Sequence, residues 1–438
     1  MWAYDSIFYQ IYPLGFCAAP EENDGICANR IQKIANWIPH IKRLGADAVY
    51  LGPVFSSDRH GYDTRDYSVL DCRLGTNDEF QKLCMQLHHA GIRIVLDGVF
   101  NHTGRGFWAF QDVLKHGWDS PYRDWFYLNF AGNSPYNDGF WYEGWEGHYE
   151  LVKLNLKNPA VKEYLFSCLD QWVKVFDIDG LRLDVAYCLD STFLKELRGK
   201  CEEYHKDFFL FGELLHGDYN QFVNDEMLHS CTNYECYKGL YSSLNSMNLF
   251  EITHSLLRQF GSEPWALYRG KHLLCFVDNH DVTRIASQLT TPEHLPLIYA
   301  LLFGMPGIPC IYYGSEWGAE GVKEPGSDKS LRPAFDTPVW NSLTDWIAAC
   351  ARAHKESKAL CCGDFTQVLL TNRQVIFSRR CEDERVLVAI NADSEPYTAH
   401  FDARCGRAVD LLTGQPHDFG GGSVLPPYSA YFWKTEIV

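Results

Sequence analysis

Residues 180–186 read GLRLDVA and join a buried strand to two charged side chains. The apolar residues Leu181 and Leu183 are typical of a short strand that is covered on both faces, as in a parallel sheet. Arg182 and Asp184 are two residues apart, so their side chains point to the same side of an extended strand. The segment therefore predicts a parallel sheet with a charged pair at the carboxyl end of one strand.

Similar strand patterns recur along most of the chain and alternate with helical patterns. The strand candidates are residues 6–11, 46–51, 93–99, 179–184, 207–212, a weaker one at 229–233, 273–277 and 309–313. Repeated alternation of this kind predicts an α/β fold, the (β/α)8 TIM barrel, in which catalytic groups lie at the carboxyl ends of the strands. Eight helices are expected with the eight strands.

Three helix starts carry recognisable signals. Thr76 precedes acidic residues and is a candidate N-cap. Pro159, directly after Asn158, suits the first position of a helix. Ser191 is expected to cap a helix that runs to about residue 205. These signals place helices between the predicted strands.

Two regions depart from this alternation. Residues 103–154 form an insertion that is dense in aromatic residues, which are interpreted either as the core of a small subdomain or as stacking surfaces for sugar rings. From residue 359 to 438, alternating apolar runs and turn signals predict a C-terminal antiparallel β-sandwich. The catalytic barrel is therefore expected to comprise residues 1–102 and 155–358.

Composition excludes several classes of protein. The 438-residue chain has a formal net charge of −17 and no dense Lys/Arg run, so nucleic-acid binding is not expected. It has no stretch of about 18 consecutive apolar residues and does not begin like a signal peptide, so no membrane association is expected. The 16 cysteines lack CxxC pairs and zinc-like spacing, which predicts reduced thiols, no metal site and a cytoplasmic protein.

Four predicted strand ends terminate in polar residues. They are DGVFNH at 97–102, GLRLDVA at 180–186, FGEL at 211–214 and VDNHD at 277–281. Any one of them could be a structural ion pair or a helix cap, because buried carboxylates need partners. Four such ends in one barrel would meet at a single mouth, which favours a catalytic site.

The residue types at these strand ends suit the cleavage of an acetal. That reaction needs an acid for the leaving oxygen and a carboxylate that meets the oxocarbenium-like centre. Arg182 can keep Asp184 ionised, which suits a nucleophile, whereas Glu213 has no neighbouring cation in the sequence and can have the raised pKa of a general acid. His102 and His280 can donate hydrogen bonds to sugar hydroxyls.

These segments resemble glycoside hydrolase family 13, the α-amylase family. The resemblance begins with IFYQIYP at 7–13 and GYDTRDY at 61–67, and the four strand ends match the family's short conserved regions in order. It implies a retaining mechanism on α-glucosidic bonds. By this resemblance, Asp184 is the nucleophile, Glu213 the acid/base and Asp281 the stabiliser of the transition state.

The same resemblance implies how the sugar at the cleavage point is bound. Tyr62 resembles the family's aromatic platform, and Arg182, His102 and His280 resemble its sugar ligands. Asp328 and Arg332 are similar to a late Asp/Arg pair of the same subsite, although a pair four residues apart also occurs on ordinary surface helices.

The segment YEGWEGHYELVKLN at 142–155 resembles cyclomaltodextrinases and neopullulanases. Those enzymes usually carry an N-terminal domain that helps them to dimerise, whereas the barrel pattern here begins at the first residues, so both a monomer and a homodimer stay open. Tyr187-Cys188 stand where secreted α-amylases often have Lys-His. No cofactor is expected, and a structural calcium ion is possible but not favoured, since Asn101 is better explained as a hydrogen-bonding partner near the site.

The sequence thus predicts a hydrolase that cleaves α-1,4 and possibly α-1,6 bonds of maltooligosaccharides, cyclodextrins or pullulan. An α-glucosidase or a transglycosylase of the same family is the first alternative, because water and a second sugar compete for the same intermediate. A non-catalytic binding subunit is an alternative of another class, and the complete set of acidic residues argues against it.

Overall fold

The computed structural model describes residues 1–382 and 384–435. A parallel sheet of eight strands lies at its centre, and we number them barrel strands 1 to 8 in chain order. They are Phe8–Ile11, Ala48–Leu51, Arg93–Gly98, Gly180–Leu183, Phe209–Gly212, Ser230–Cys231, Leu274–Phe276 and Ile308–Tyr312. All the sequence candidates are confirmed, although most strands are shorter than predicted.

The eight strands form a closed ring. Their order is 6-5-4-3-2-1-8-7, and every neighbouring pair is parallel. Strands 6 and 7 meet through a parallel bridge between Thr232 and Leu274, and the Asn233 N–H donates to the Leu274 carbonyl over 2.8 Å. The predicted TIM barrel is therefore confirmed, and the carboxyl ends of all its strands lie at one mouth.

The inside of the barrel is filled by side chains and is not a pore. One buried cluster joins large residues from alternating positions of the strands, among them Phe8, Tyr50, Phe211 and Phe276. The rings of Phe8 and Phe211 lie 6.4 Å apart, and those of Tyr50 and Phe211 lie 5.6 Å apart. This packing supports the strand ends rigidly from below.

Helices surround the ring. The α-helices span Pro13–Phe16, Ile38–Leu44, Asn77–His89, Trp108–His116, Pro159–Phe176, Ser191–Tyr204, Tyr234–Asn245, Phe250–Phe260, Ile285–Gln288, Leu295–Gly304, Ser342–Lys355 and Lys358–Cys362. The 3-10 helices span Trp2–Asp5, Ile31–Trp37, Gly117–Asp119, Arg123–Trp125, Ala186–Cys188, Tyr219–Gln221, Pro292–His294, Ser315–Trp317 and Lys329–Leu331.

Two of the three predicted helix starts are confirmed. Thr76 caps its helix and exchanges hydrogen bonds with Glu79, and the Asn158 side chain accepts from the Ala160 N–H, directly after Pro159. The predicted cap Ser191 is wrong. Asp190 caps that helix, because its backbone is extended and its carboxylate accepts the next free N–H groups, whereas Ser191 already has the first helical position.

The prediction of one helix after each strand is wrong at barrel strand 5. Within the described chain, residues 213–229 contain the 3-10 turn Tyr219–Gln221 and no α-helix before strand 6. The link from 213 to 229 is the shortest between two consecutive barrel strands. This side of the barrel mouth is therefore bounded by loops.

The insertion after strand 3 is built of short antiparallel strands. His102–Gly104 pairs with His148–Lys153, which also pairs with Gly144–Trp145. The remaining small strands are Leu128–Asn129 with Trp141–Tyr142 in the insertion and Phe55–Ser57 with Thr64–Leu70 after barrel strand 2. Many of the aromatic side chains of the insertion are buried, as at Phe110 and Tyr142, so they form its core.

The C-terminal region forms two antiparallel sheets with a buried cluster between them. Their strands are Asp364–Leu370, Gln374–Cys381, Glu384–Asn391, Arg407–Asp410, Pro416–Asp418 and Ser429–Thr435 in the larger sheet and Tyr397–Ala399 and Ser423–Leu425 in the smaller one. The larger sheet packs on the barrel helices, where the buried Arg379 donates to the Gly304 carbonyl over 2.8 Å. A Cβ atom at Gly304 would lie 2.9 Å from Val388, so glycine permits this close contact.

Ten of the 16 cysteines are buried, as their apolar neighbours in the sequence predict. Among the helices of the described residues, none has both the length and the apolar character needed to cross a bilayer.

Candidate active site

Four carboxylates from different barrel units meet at the mouth. Asp97 belongs to strand 3, Asp184 and Glu213 directly follow strands 4 and 5, and Asp281 lies in the loop after strand 7. Asp184, Glu213 and Asp281 line a cleft of about 1290 Å³, which exceeds the usual 300–1,000 Å³ of a small-molecule pocket. The predicted residues Tyr62, His102, Asp328 and Arg332 line the same cleft.

The buried guanidinium of Arg182 connects three of these carboxylates. Its Nη1 donates to both oxygens of Asp97 over 2.9 and 2.8 Å and to Oδ1 of Asp184 over 2.8 Å. Its Nη2 lies 2.9 Å from Oε2 of Glu213. Asp184 and Glu213 therefore contact one planar group, which keeps the two carboxylates close, as a retaining glycosidase requires.

Burial and mutual repulsion control protonation in this cluster. Burial raises the pKa of Asp184 well above its usual range, and the charges of Glu213, Asp97 and Asp281 raise it further against the opposing effect of Arg182. Burial also raises the pKa of Glu213, with Asp281 adding to the effect and Arg182 opposing it. The expectation that Arg182 acts on Asp184 alone and that Glu213 lacks a cation is therefore wrong, because the guanidinium contacts both carboxylates and burial raises the pKa of both. Raised pKa values favour a proton shared within the cluster, which is what a general acid needs.

Asp281 is controlled by a second cation, Arg332. The Nη2 atom of Arg332 donates to Oδ1 of Asp281 over 2.7 Å and lies 2.9 Å from Oδ2 of Asp328. Burial would raise the pKa of Asp281, but His280, which is protonated only in the acid range where Asp281 titrates, and the permanent cations Arg332, Arg182 and Lys323 outweigh burial and lower this pKa to about 2. Asp281 is therefore ionised, and Asp328 and Arg332 belong to this cluster instead of an ordinary surface helix.

The two predicted histidines are buried and neutral, because burial lowers the pKa of each to about 3. His102 Nδ1 contacts the Asn101 amide at 3.1 Å, while its Nε2 has no hydrogen-bond partner in the described residues and lies 3.8 Å from Asp184. That nitrogen is available to a ligand hydroxyl at the cleft. His280, by contrast, already has a protein partner at each ring nitrogen.

Tyr62 forms an aromatic layer with His280. Their rings are nearly parallel, with centroids 5.8 Å apart, and the Tyr62 hydroxyl contacts Nε2 of His280. The Tyr62 hydroxyl also donates to Asp97 over 3.3 Å. Since Tyr62 lines the cleft, its ring can support the apolar face of a sugar while its hydroxyl is fixed by the same carboxylate that holds Arg182.

Sequence reasoning missed two residues behind this layer. Asp97 is the first residue of DGVFNH, and its position at the end of a buried strand was a usable signal. The amide Nε2 of Gln10 donates to Nδ1 of His280 over 2.8 Å and so fixes the ring. Gln10 lies inside IFYQIYP, but a single polar residue within a strand gave no indication of its partner.

The insertion supplies one wall of the cleft. The hairpin that joins Gly144–Trp145 to His148–Lys153 places Trp145, Glu146 and His148 along the cleft. Trp145 stacks on His148 with ring centroids 5.4 Å apart and lies 5.9 Å from the His102 ring. The interpretation of the aromatic residues as the core of the insertion is confirmed for residues such as Phe110 and Tyr142, while the interpretation of a stacking surface stays a prediction for Trp145, which lines the cleft.

Asn101 uses its side-chain amide to position His102, and its carbonyl accepts the Leu154 N–H over 2.9 Å. Among the described residues, no group of three or more His, Cys, Asp or Glu side chains has an arrangement suited to a metal ion.

Comparisons with known proteins agree with this geometry. Residues 10–359 match the family described as "Alpha amylase, catalytic domain". A cyclomaltodextrinase of a Bacillus species is 30% identical over 423 residues, which cover 91% of this chain and 74% of that protein. An intracellular maltogenic amylase of Bacillus subtilis is 29% identical over 409 residues, covering 88% and 68% respectively.

The fold agrees equally well with solved structures. The ligand-free cyclic α-maltosyl-(1→6)-maltose hydrolase of Arthrobacter globiformis superposes with a TM-score of 0.84 at 29% identity. The match covers 99% of both chains, so it includes the barrel, the insertion and the C-terminal sheets.

Asp97→Asn tests whether this carboxylate organises the cluster. The change keeps the shape of the side chain but weakens its hold on Arg182 and Tyr62, so kcat/KM should fall by on the order of 100-fold. Because the Asp97 charge raises the pKa of Asp184 and Glu213, the basic limb of the kcat/KM profile should move to lower pH. Asp78→Asn, on an exposed helix turn, is the matched control. A normal rate with an unmoved limb would contradict the assignment.

Proposed function

Because this chain belongs to the α-amylase family and is a glycoside hydrolase, we propose that it cleaves α-glucosidic bonds with retention of configuration. The observation that carries the proposal is the Arg182 guanidinium, which contacts both Asp184 and Glu213. Two carboxylates held close together suit a double displacement through a covalent intermediate, whereas an inverting enzyme needs room for water between them.

In the proposed first step, the Glu213 carboxyl protonates the glycosidic oxygen while Asp184 attacks the anomeric carbon. The bond to the leaving sugar breaks and a glycosyl ester of Asp184 forms. In the second step, Glu213 as carboxylate takes a proton from water, whose oxygen attacks the same carbon and releases Asp184. Each oxocarbenium-like transition state is positive, and the ionised Asp281 stabilises that charge.

The remaining residues of the cleft are proposed to bind the sugar at the cleavage point. His102 Nε2 has no partner in the described protein and suits a sugar hydroxyl. Tyr62 supports the ring, and Asp328 and Arg332 bind hydroxyls beside Asp281. Arg182 and His280 lie behind the lining and act on the sugar chiefly through the carboxylates and Tyr62, which they contact.

The proposed substrates are maltooligosaccharides, cyclodextrins and pullulan, cleaved at α-1,4 and possibly α-1,6 bonds. The cleft volume supports an oligosaccharide over a single sugar. The names of the relatives, a cyclomaltodextrinase and a hydrolase of cyclic α-maltosyl-(1→6)-maltose, support short or cyclic α-glucans.

We also propose that the enzyme is cytoplasmic and acts without a cofactor, as a monomer or homodimer. The name of the intracellular Bacillus subtilis relative and the many buried thiols support the location. The absence of a cofactor requirement follows from the proposed steps, in which carboxylates supply both the nucleophile and the proton.

The stereochemistry of the product tests the mechanism. Proton NMR during hydrolysis of maltotriose should show the α-anomer first, because two inversions restore the starting configuration. Asp184→Asn should lose turnover. Glu213→Gln should lose on the order of 10²–10⁴-fold in kcat/KM on maltotriose but much less in kcat/KM on α-maltosyl fluoride, because kcat/KM reports the first step and fluoride leaves without a proton. The kcat on the fluoride should still fall, since the second step needs Glu213 as base. Glu226→Gln, at an exposed ion pair, is the control. Initial formation of the β-anomer would refute retention.

A substrate panel tests the proposed specificity. One purified sample is incubated with maltotriose, β-cyclodextrin and pullulan, and the products are separated by chromatography. Cleavage of the first two with products no longer than the substrate supports the hydrolase. Products longer than the substrate would indicate a transglycosylase. Release of glucose from chain ends alone would indicate an α-glucosidase. If no substrate of the panel and no nitrophenyl maltoside is cleaved, the protein is non-catalytic.

Metal removal tests the independence from a cofactor. Dialysis against EDTA should leave kcat/KM and the unfolding temperature unchanged, since Asn101 already binds His102 and no reacting group is supplied by an ion. Dialysis without EDTA is the control. A loss of activity that added calcium restores would show that a bound ion is required.

A further inference from the structure

Val185, directly after Asp184, has an unusual main-chain conformation. Its φ and ψ angles are 40° and 48°, in the left-handed region that β-branched side chains avoid. The residue is buried and precedes the 3-10 turn Ala186–Cys188. Strained residues of this kind persist where the surrounding structure fixes them, often at functional sites.

The conformation directs the main-chain N–H of Val185 toward Glu213. Its nitrogen lies 3.0 Å from Oε2 of Glu213, and Arg182 Nη2 lies 2.9 Å from the same oxygen. Oε2 is therefore held by two donors. In the part of the chain that the structure describes, Oε1 of Glu213 has no hydrogen-bond donor, and the side chain lines the cleft.

Close packing of strand ends 4 and 5 holds the turn in place. The Glu213 N–H donates to the Leu183 carbonyl over 2.9 Å, and the Ala186 N–H donates to the Glu213 carbonyl over 3.1 Å. A Cβ atom at Gly212 would lie 2.6 Å from Cβ of Ala186, closer than such atoms approach. Glycine at 212 thus lets the turn come near enough for the Val185 N–H to reach the carboxylate.

We infer that the main-chain N–H of Val185 is a positioning group that fixes Oε2 of Glu213 and leaves Oε1 as the oxygen that gives and takes the catalytic proton. The inference rests on the proposed role of Glu213 as acid/base and adds to it the atom that reacts. The hydrogen bond from Val185 also favours the ionised form of Glu213, so it keeps the acid strong enough to release its proton.

The other groups that face Glu213 stay the same when this single N–H is removed. They are Tyr50, Asp97, Arg182, Asp184, Tyr187, Tyr234 and Asp281. A change in the titration of Glu213 then reports on the hydrogen bond itself.

Replacing Val185 with its α-hydroxy acid analogue exchanges the amide N–H for an ester oxygen and keeps the side chain. The basic limb of the kcat/KM profile on maltotriose should move about one pH unit higher, because the carboxylate loses a donor. The kcat/KM for maltotriose should fall about tenfold or more, while kcat/KM for α-maltosyl fluoride, whose leaving group needs no proton in the first step, should change little.

Leu189 provides the matched control, since its N–H donates to the Ala186 carbonyl over 3.1 Å in the same turn but does not contact Glu213. Its α-hydroxy analogue should leave the limb in place. An unmoved limb in the Val185 ester, or equal shifts in both esters, would overturn the inference. Glu213→Gln is measured in parallel, and normal turnover of maltotriose by that variant would instead overturn the proposed function.

Gly212→Ala gives a second test by ordinary mutagenesis. The added methyl should push the turn away from Glu213, lower kcat on maltotriose and raise the basic limb. The added methyl would lie 2.6 Å from both Cβ of Ala186 and Cδ1 of Leu228, so adding Ala186→Gly and Leu228→Ala removes both contacts and should restore the limb toward its normal position. If the single variant leaves the limb unchanged, or the triple variant leaves it equally displaced, the Val185 contact does not position Glu213.

Discussion

The organisation of the barrel mouth depends on one buried cation with three carboxylates around it. Arg182 is in direct register with Asp97 on the neighbouring strand 3 and with Phe211 on strand 5, two residues before Glu213. The parallel pairing itself thus brings the carboxylates to the guanidinium. Removing one charged residue from such a cluster leaves a buried charge without its partner, which destabilises the fold. The strand register thus places the charges, and their mutual pairing in turn stabilises that register.

A second cation, carried by a loop, completes the site. Arg332 follows the short turn Lys329–Leu331 and reaches Asp281 from a loop, and its other partner, Asp328, lies in the same loop. The cluster around Arg182 therefore lies on strands or directly after them, whereas Asp281, Asp328 and Arg332 lie in loops at the rim of the mouth. The proton transfer and the nucleophilic attack need fixed geometry and use the cluster around Arg182.

The sequence predicted those parts of the site that follow from strand position. Parallel strands end at one edge, so charged residues after apolar runs, as at Asp184 and Glu213, were expected to meet. The specific contacts between residues from different strand ends were not predictable, because the sequence of a single strand does not reveal which residue it contacts. Gln10 against His280 and the Val185 N–H against Glu213 are of this kind, since they depend on ring closure and on a main-chain angle.

The same physical reasons explain the errors in the fold prediction. Asp190 and Ser191 are both good cap residues, and the choice between them depends on which one is extended in the folded chain. The helix expected after strand 5 followed from repeating the barrel pattern, not from a signal in that segment. The start of the helix Pro159–Phe176 was recognisable because Asn158 and Pro159 are themselves the signal, a cap followed by a proline at the first helical position.

The cluster also sets stability and activity against each other. Burial raises the pKa of Asp184 and Glu213 in the folded protein, so the folded state binds protons more tightly than the unfolded chain does. The stability from this difference is fully present below the ordinary carboxyl pKa and is lost as the pH rises through the raised values. Catalysis needs Asp184 ionised, and hence a pH at which the cluster has already lost part of that stability. The apolar residues buried inside the barrel beneath the mouth, together with the closed strand ring, must therefore compensate for that loss.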